Sequence, residues 1–267
     1  MSEERERGAK TGGGGGRPEL DFSLHAGPPD LAEKGAPVRG VPQSLDKRLF
    51  LQLQVFSECF DAAPVVRAVR RSGLDAVVYL DAHDPRGVGV LLMSEDEGVF
   101  TGQARVLLSG PPFAALAPRP DFTMMGRTYA AGREEDLEDW LLRKPRRNAL
   151  NPDWPWHVWY PLRRTGEFNR LSRDEQGKMM LEHAVIGRAY GEAGHAFDIR
   201  LECHGIDRRD NEFVLGLVSS RLHPLSRLVK DMRRTRQTAE FIESMGPFFV
   251  GRAAYQSPLL AATAQPG

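Results

Sequence analysis

The chain has 267 residues, enough for one large domain or two small ones, and its 36 Lys and Arg balance 36 Asp and Glu to zero formal charge. That balance advertises neither a nucleic acid nor a membrane surface as partner. Cys59 and Cys203 are the only cysteines, too few for a disulfide framework or a thiolate metal cage, so a reducing compartment is expected.

No apolar run approaches membrane-spanning length, and the N-terminus lacks the apolar core of a signal peptide, so the expectation is a soluble, cytoplasmic protein. Residues 1–45 begin densely charged, carry a glycine run from Gly12 to Gly16 and then several prolines. Such a stretch buries too little apolar surface to offset its ordering entropy and is expected to be a disordered tail.

From Leu49 the same order of elements occurs twice. Strand 49–56, helix 63–72, strands 75–80 and 87–93, helix 95–108 and strand 122–130 make the first pass, and a short acidic helix at 134–142 leads out. Strand 156–160, helix 172–190, strands 197–203 and 212–218, helix 224–241 and strand 247–251 make the second. Each pass is β-α-β-β-α-β, the ferredoxin-like arrangement. The expected fold class is therefore α+β, with an N-terminal half over 46–145, a C-terminal half over 146–255 and a short tail over 256–267. Two such halves bring two antiparallel sheets together with helices outside.

The second half carries the candidate chemistry. Ser172 with Glu175 three residues on fits a capping box, and Pro224 suits the first turn of the last helix. Met179, His183, Ile186 and Tyr190 fall on one face of the helix that Ser172 opens. A lone histidine on such a face is more often a satisfied core residue than a ligand. The other six histidines form no paired metal-binding motif. A single imidazole without companions suits haem iron, where the porphyrin supplies four nitrogens.

Just upstream, Trp154, Trp156, His157, Trp159 and Tyr160 crowd one short strand, with Arg163 and Arg164 behind it. Alternation puts Trp156, Val158 and Tyr160 on one face and His157 and Trp159 on the other. By pattern alone packing remains the commoner role for these rings, with Pro161 ending the strand. The arginine groups at Arg146–Arg147 and Arg163–Arg164 flank that strand, and guanidinium forks suit carboxylates or phosphates.

The order and spacing of Trp154, Tyr160-Pro161, Leu171-Ser-Arg-Asp-Glu175, Met180-Leu-Glu-His183-Ala-Val-Ile-Gly187-Arg188, Gly205-Ile-Asp207, Asn211-Glu212-Phe213 and Gly246-Pro-Phe-Phe-Val-Gly251 resemble the chlorite dismutase-like haem proteins. Within them the chain is most similar to the coproheme decarboxylases, over roughly residues 47–255. The resemblance implies a dimeric α+β barrel of two ferredoxin-like halves, with haem held only by the C-terminal half, in a homopentamer. It implies an oxidoreductase of haem biosynthesis that uses hydrogen peroxide to convert two propionates of iron coproporphyrin III (coproheme) to vinyl groups, giving haem b.

Position by position, His183 resembles the proximal iron ligand and Tyr160 the tyrosine whose radical removes a hydrogen atom from a propionate. Arg146 or Arg147, Arg164 and Arg233 resemble the cations that hold propionates, and Thr238 stands where a serine hydroxyl meets another. Arg164 replaces a lysine of the decarboxylases, keeping the charge but changing its geometry. On the distal side the family's arginine or glutamine aligns with Ala196 or, allowing for a longer loop, Asp198; Arg200 lies on the same strand face. No acid occurs between Arg233 and Thr238 to play the glutamate that chlorite dismutases set against the proximal histidine. Chlorite dismutation and non-catalytic haem binding or delivery remain the alternatives.

Overall fold

The computed structural model describes residues 28–259. Most of the expected N-terminal tail and the final residues of the C-terminal tail lie outside the described residues. The chain divides into two units, residues 1–31 and 32–267, and the fold is that of the second.

Its first element corrects the expected tail boundary. Residues up to 45 include a hairpin, β1 (Glu33–Val38) and β2 (Val41–Leu45), paired antiparallel. Its few apolar side chains do not make a core. It is held instead by polar bonds to the chain that links the two halves: Ala36 N–H donates to the Glu134 carbonyl, and the Gln43 amide meets the backbone of Ala36, Glu134, Glu135 and Leu137. Composition alone hides such partners because they lie about ninety residues away in sequence.

The first half runs β3 (Phe50–Ser57), α1 (Ala63–Ser72), β4 (Asp75–Asp81), β5 (Val88–Ser94), α2 (Gly98–Thr101), α3 (Gln103–Ser109), the short β6 (Ala117–Pro118) and β7 (Met124–Arg127). The expected single helix at 95–108 is two, broken at Gly102, whose backbone (φ −101°, ψ −98°) is not helical. The expected acidic helix at 134–142 begins later, as a π-helical turn at Asp139–Arg143 that continues into α4 (Lys144–Leu150). Pro145 sits in the first turn of α4, where its missing N–H leaves no bond unmade.

The second half runs β8 (Trp156–Arg164), α5 (Arg173–Glu192), β9 (Phe197–Glu202), β10 (Phe213–Ser219), α6 (Leu222–Met232), α7 (Arg236–Phe241), β11 (Ile242–Met245) and β12 (Phe249–Gln256). The capping box opens α5: Glu175 N–H donates to Ser172 Oγ at 3.3 Å, and Ser172 N–H to Glu175 Oε2 at 3.1 Å. The expected helix at 224–241 is interrupted at Arg233–Thr235, and α7 restarts after Thr235.

The two halves do not keep two sheets. Their strands join edge to edge through β4–β12 and β7–β9 into one antiparallel sheet, and β8 pairs with both β10 and β12 so that the sheet closes on itself. Closure leaves no ladder edge to water along that path. Inward-facing Leu51, Leu53, Tyr79, Leu91, Trp159 and Phe249 fill the interior. The β7–β9 contact is short, a single pair at Arg127 and Glu202. The linking segment seals the gap, adding Leu137, Leu141 and Leu150 to the interior cluster, while Asn148 Nδ2 donates to the Asp198 carbonyl of β9 at 2.9 Å.

Helices cover the outer faces of the two halves unequally. The ten-residue α1 buries Val65, Ala68 and Val69, whereas the twenty-residue α5 fully buries only Met179. The layer between α5 and the sheet of the second half is therefore the more loosely packed of the two.

Candidate functional site

Strand pairing fixes what faces that layer. Along β8, Val158 and Tyr160 lie on the outer face, clustered with Leu217, Leu225 and Leu228, while Trp159 points inward. Pro161 does not end the strand. Its carbonyl accepts from Gly246 N–H, so the side on which its N–H is missing looks onto the junction of β11 and β12, where the ladder is already interrupted. Register places Arg200 of β9, Leu215 of β10 and Tyr160 of β8 in one row, which sets Arg200 and Tyr160 two strand spacings, about 10 Å, apart on the same face.

Tyr160 is buried and stacks on Phe248, with ring centroids 4.6 Å apart. Burial pushes its phenol pKa up, the Asp198 carboxylate adds to that, and the Arg233 guanidinium opposes it. The phenol thus holds its proton across the neutral range, so oxidising it requires proton and electron to leave together.

His183 sits half-buried on the α5 face that carries Met179 and Ile186. Its Nε2 lies 3.2 Å from Thr238 Oγ1 and 3.4 Å from Thr235 Oγ1, and the two hydroxyls are 3.3 Å apart. Its Nδ1 is buried without a hydrogen-bond partner. Burial lowers the imidazole pKa; the Met179 carbonyl and Glu182 oppose this, and the Arg200 charge adds to it. A neutral imidazole with an uncommitted ring nitrogen is the donor that haem iron takes. Among the described residues no group of three or more His, Cys, Asp or Glu could hold a metal, so His183 fits a metal that brings most of its own ligands.

The other expected positions divide. Arg233, at the end of α6, is close enough to act on Tyr160 and lies 4.0 Å from the Met245 sulfur. Thr238 meets His183 itself. Arg146 is turned toward the first half, paired with Asp75 at 3.0 Å and Glu95 at 3.1 Å. Arg147 is paired with Asp139. Arg164 shares the face of Tyr160 but is bound to Glu212 at 2.8 Å between the rings of Phe168 and Phe213. The structure brings Tyr160, His183, Arg233 and Thr238 into one region and leaves these three arginines with internal carboxylate partners. Asp198 and Arg200 pair at 3.0 Å. Sequence patterning gives no sign of Thr235, because a threonine between two helices carries no signal of its own.

Residues 143–254, which contain every one of these groups except part of the linking segment, match the sequence model of the chlorite dismutase family. This is a chlorite dismutase-like chain. Its fold is similar to that of a haem-binding protein from Thermus thermophilus (TM-score 0.60, 20% identity, 78% of this chain and 92% of that one). It is similar also to chlorite dismutase from Candidatus Nitrospira defluvii in complex with imidazole (TM-score 0.58, 13% identity, 78% and 91%). At such identities the structural likeness of the chlorite dismutase-like chain shows fold alone. Comparison with curated protein sequences finds no match. Among the described residues no helix is long and apolar enough to cross a membrane.

Proposed function

We propose that the protein is a peroxide-dependent coproheme decarboxylase that converts iron coproporphyrin III to haem b in the cytoplasm, working as a homopentamer. The observation that carries this reading is the pairing, in one loosely packed layer, of a buried protonated phenol at Tyr160 with a neutral, half-buried imidazole at His183. His183 holds the iron. Arg233 holds a propionate beside Tyr160 by a charge-assisted bond, and Phe248 keeps the phenol from rotating away.

When bound, the iron porphyrin supplies the redox chemistry, passing two electrons per propionate to hydrogen peroxide. Tyr160 Oη gives up its proton and electron together, then regains a hydrogen atom from the propionate carbon attached to the porphyrin ring. Loss of carbon dioxide and one further electron leaves the vinyl group. Placement of the propionate dominates the rate, because a small misplacement of the reacting carbon is costly.

Incubation with iron coproporphyrin III and peroxide should give haem b, read by mass spectrometry as two losses of carbon dioxide. Tyr160→Phe should bind the porphyrin and fail to convert it; full turnover in that variant ends the radical mechanism. In His183→Ala the five-coordinate iron spectrum should disappear. One observation favours a second reading, chlorite dismutation: Arg200 stands in the row of Tyr160 and its charge acts on His183. Oxygen evolution from chlorite, lost in Arg200→Ala, would establish it. Porphyrin binding with no mass change and no oxygen would make the protein a haem binder or carrier.

A further inference from the structure

Three arginines expected to hold carboxylates are already paired with acids, which directs attention to the cations that are not. Lys144, in the first turn of α4, has its Nζ 4.1 Å from the centroid of the Trp140 indole. Among the described residues no carboxylate forms an ion pair with it and no acceptor hydrogen-bonds it; Asp198 and Asp139 act on it only at longer range. Arg200 lies over the same indole, with Cζ at 4.7 Å, and shares its one carboxylate partner, Asp198, at 3.0 Å. Two cations and one acid thus share a single aromatic ring. The indole is pinned by its own N–H, which donates to the Tyr129 carbonyl at 2.9 Å. Burial makes the lone ammonium costly, pulling the Lys144 pKa down, and Arg200 adds to that. An uncompensated positive charge in a partly desolvated cleft wants an anion.

The space available says which kind. The void between these groups, lined by Tyr129, Trp140, Lys144 and Arg200 among others, measures about 20 Å³, close to one water molecule. It admits the tip of a carboxylate, not a phosphoryl group. Its position says whose: Arg200 and Asp198 belong to the strand face of Tyr160, and Asp198 acts on the Tyr160 phenol.

We propose that Lys144 and Arg200, set on either flank of the site by Trp140, form a carboxylate-binding subsite that anchors an acidic side arm of the porphyrin. This rests on the haem-binding reading and assigns the anchoring to the linking segment and β9, in place of Arg146 and Arg147. The subsite joins chain from between the two halves to the sheet of the second, so ligand binding also tightens the linking segment onto β9.

The test compares three iron porphyrins by Soret titration at two salt concentrations: coproporphyrin III with four carboxylates, haem b with two, and octaethylporphyrin with none. In Lys144→Met, affinity for the four-carboxylate porphyrin should fall about tenfold or more, as expected for loss of one charge-assisted bond, and its salt dependence should weaken. Octaethylporphyrin should bind as to the natural chain, which also shows that the variant is folded. Arg200→Gln should follow the same pattern. Equal losses for all three porphyrins, or no loss for any, would overturn the subsite. If the natural chain binds none of the three, the haem reading fails; the subsite then stands or falls on free propionate, whose quenching of tryptophan fluorescence must vanish in Lys144→Met.

Discussion

Trp159 shows how little room the interior of the closed sheet leaves at a single residue. It is buried, its indole N–H donates to Tyr79 Oη at 3.2 Å, and its ring lies flat against Gly216 of the neighbouring β10. A Cβ built at Gly216 would overlap several Trp159 ring atoms. Since rings packed at interior density cannot retreat without opening gaps elsewhere, Gly216→Ala should cost roughly 1–3 kcal/mol. Chemical denaturation followed by tryptophan fluorescence would show it as a lowered midpoint with an unchanged slope; a midpoint within error of the natural chain would mean the ring is free to move. The strand alternation that sends Trp159 inward and Tyr160 outward was readable from the sequence, because a period of two has only two phases. The hydroxyl partners of His183 were not, since Thr235 and Thr238 are close to it only once α7 has folded back on α5.

Among the elements, the hairpin β1–β2 is the one whose existence composition concealed, and it is fastened by one side chain more than any other. Gln43 donates from Nε2 to the Ala36 carbonyl at 2.7 Å and the Glu134 carbonyl at 2.9 Å, and its Oε1 accepts from Leu137 N–H at 3.1 Å. Removing the amide leaves two carbonyls and one N–H without these partners, so Gln43→Ala should destabilise by about 1–3 kcal/mol. Hydrogen exchange should quicken first at Ala36 and Leu137; unchanged exchange there would show that the hairpin is held by other contacts. Elements built from local rules were legible: α5 begins at its capping box, and β3 to β5 follow alternation. The break between α6 and α7 was not, because Arg233 and Arg234 suit a helix and nothing in sequence marks the turn at Thr235. The arginine pairs at 146, 147 and 164 were equally opaque, for their acids, Asp75, Asp139 and Glu212, are chosen by the closed sheet and its linker rather than by sequence spacing.

For the whole molecule, the join between halves carries its own titration. Tyr79 on β4 and His157 on β8 belong to different halves, yet Tyr79 Oη is 2.8 Å from His157 Nδ1, and His157 Nε2 is 3.0 Å from the Trp154 carbonyl. A carbonyl only accepts, so Nε2 carries the proton, Nδ1 accepts from Tyr79, and Tyr79 in turn accepts from Trp159: a fully satisfied chain built on neutral imidazole. Burial drops the His157 pKa to about 4, only partly opposed by the Trp154 carbonyl, against about 6.5 in an unfolded chain. Between those values the unfolded state binds a proton that the folded state refuses. Stability from this group is therefore complete above about pH 6.5 and is lost as pH falls toward 4, by on the order of 3 kcal/mol. Urea unfolding at intervals from pH 7.5 to 4 should show that decline. In His157→Gln, which can keep a donor toward Trp154 without a titrating group, the decline should be shallower across the same window. An equal slope in both proteins would place the acid sensitivity in other groups and leave the two halves joined by sheet pairing alone.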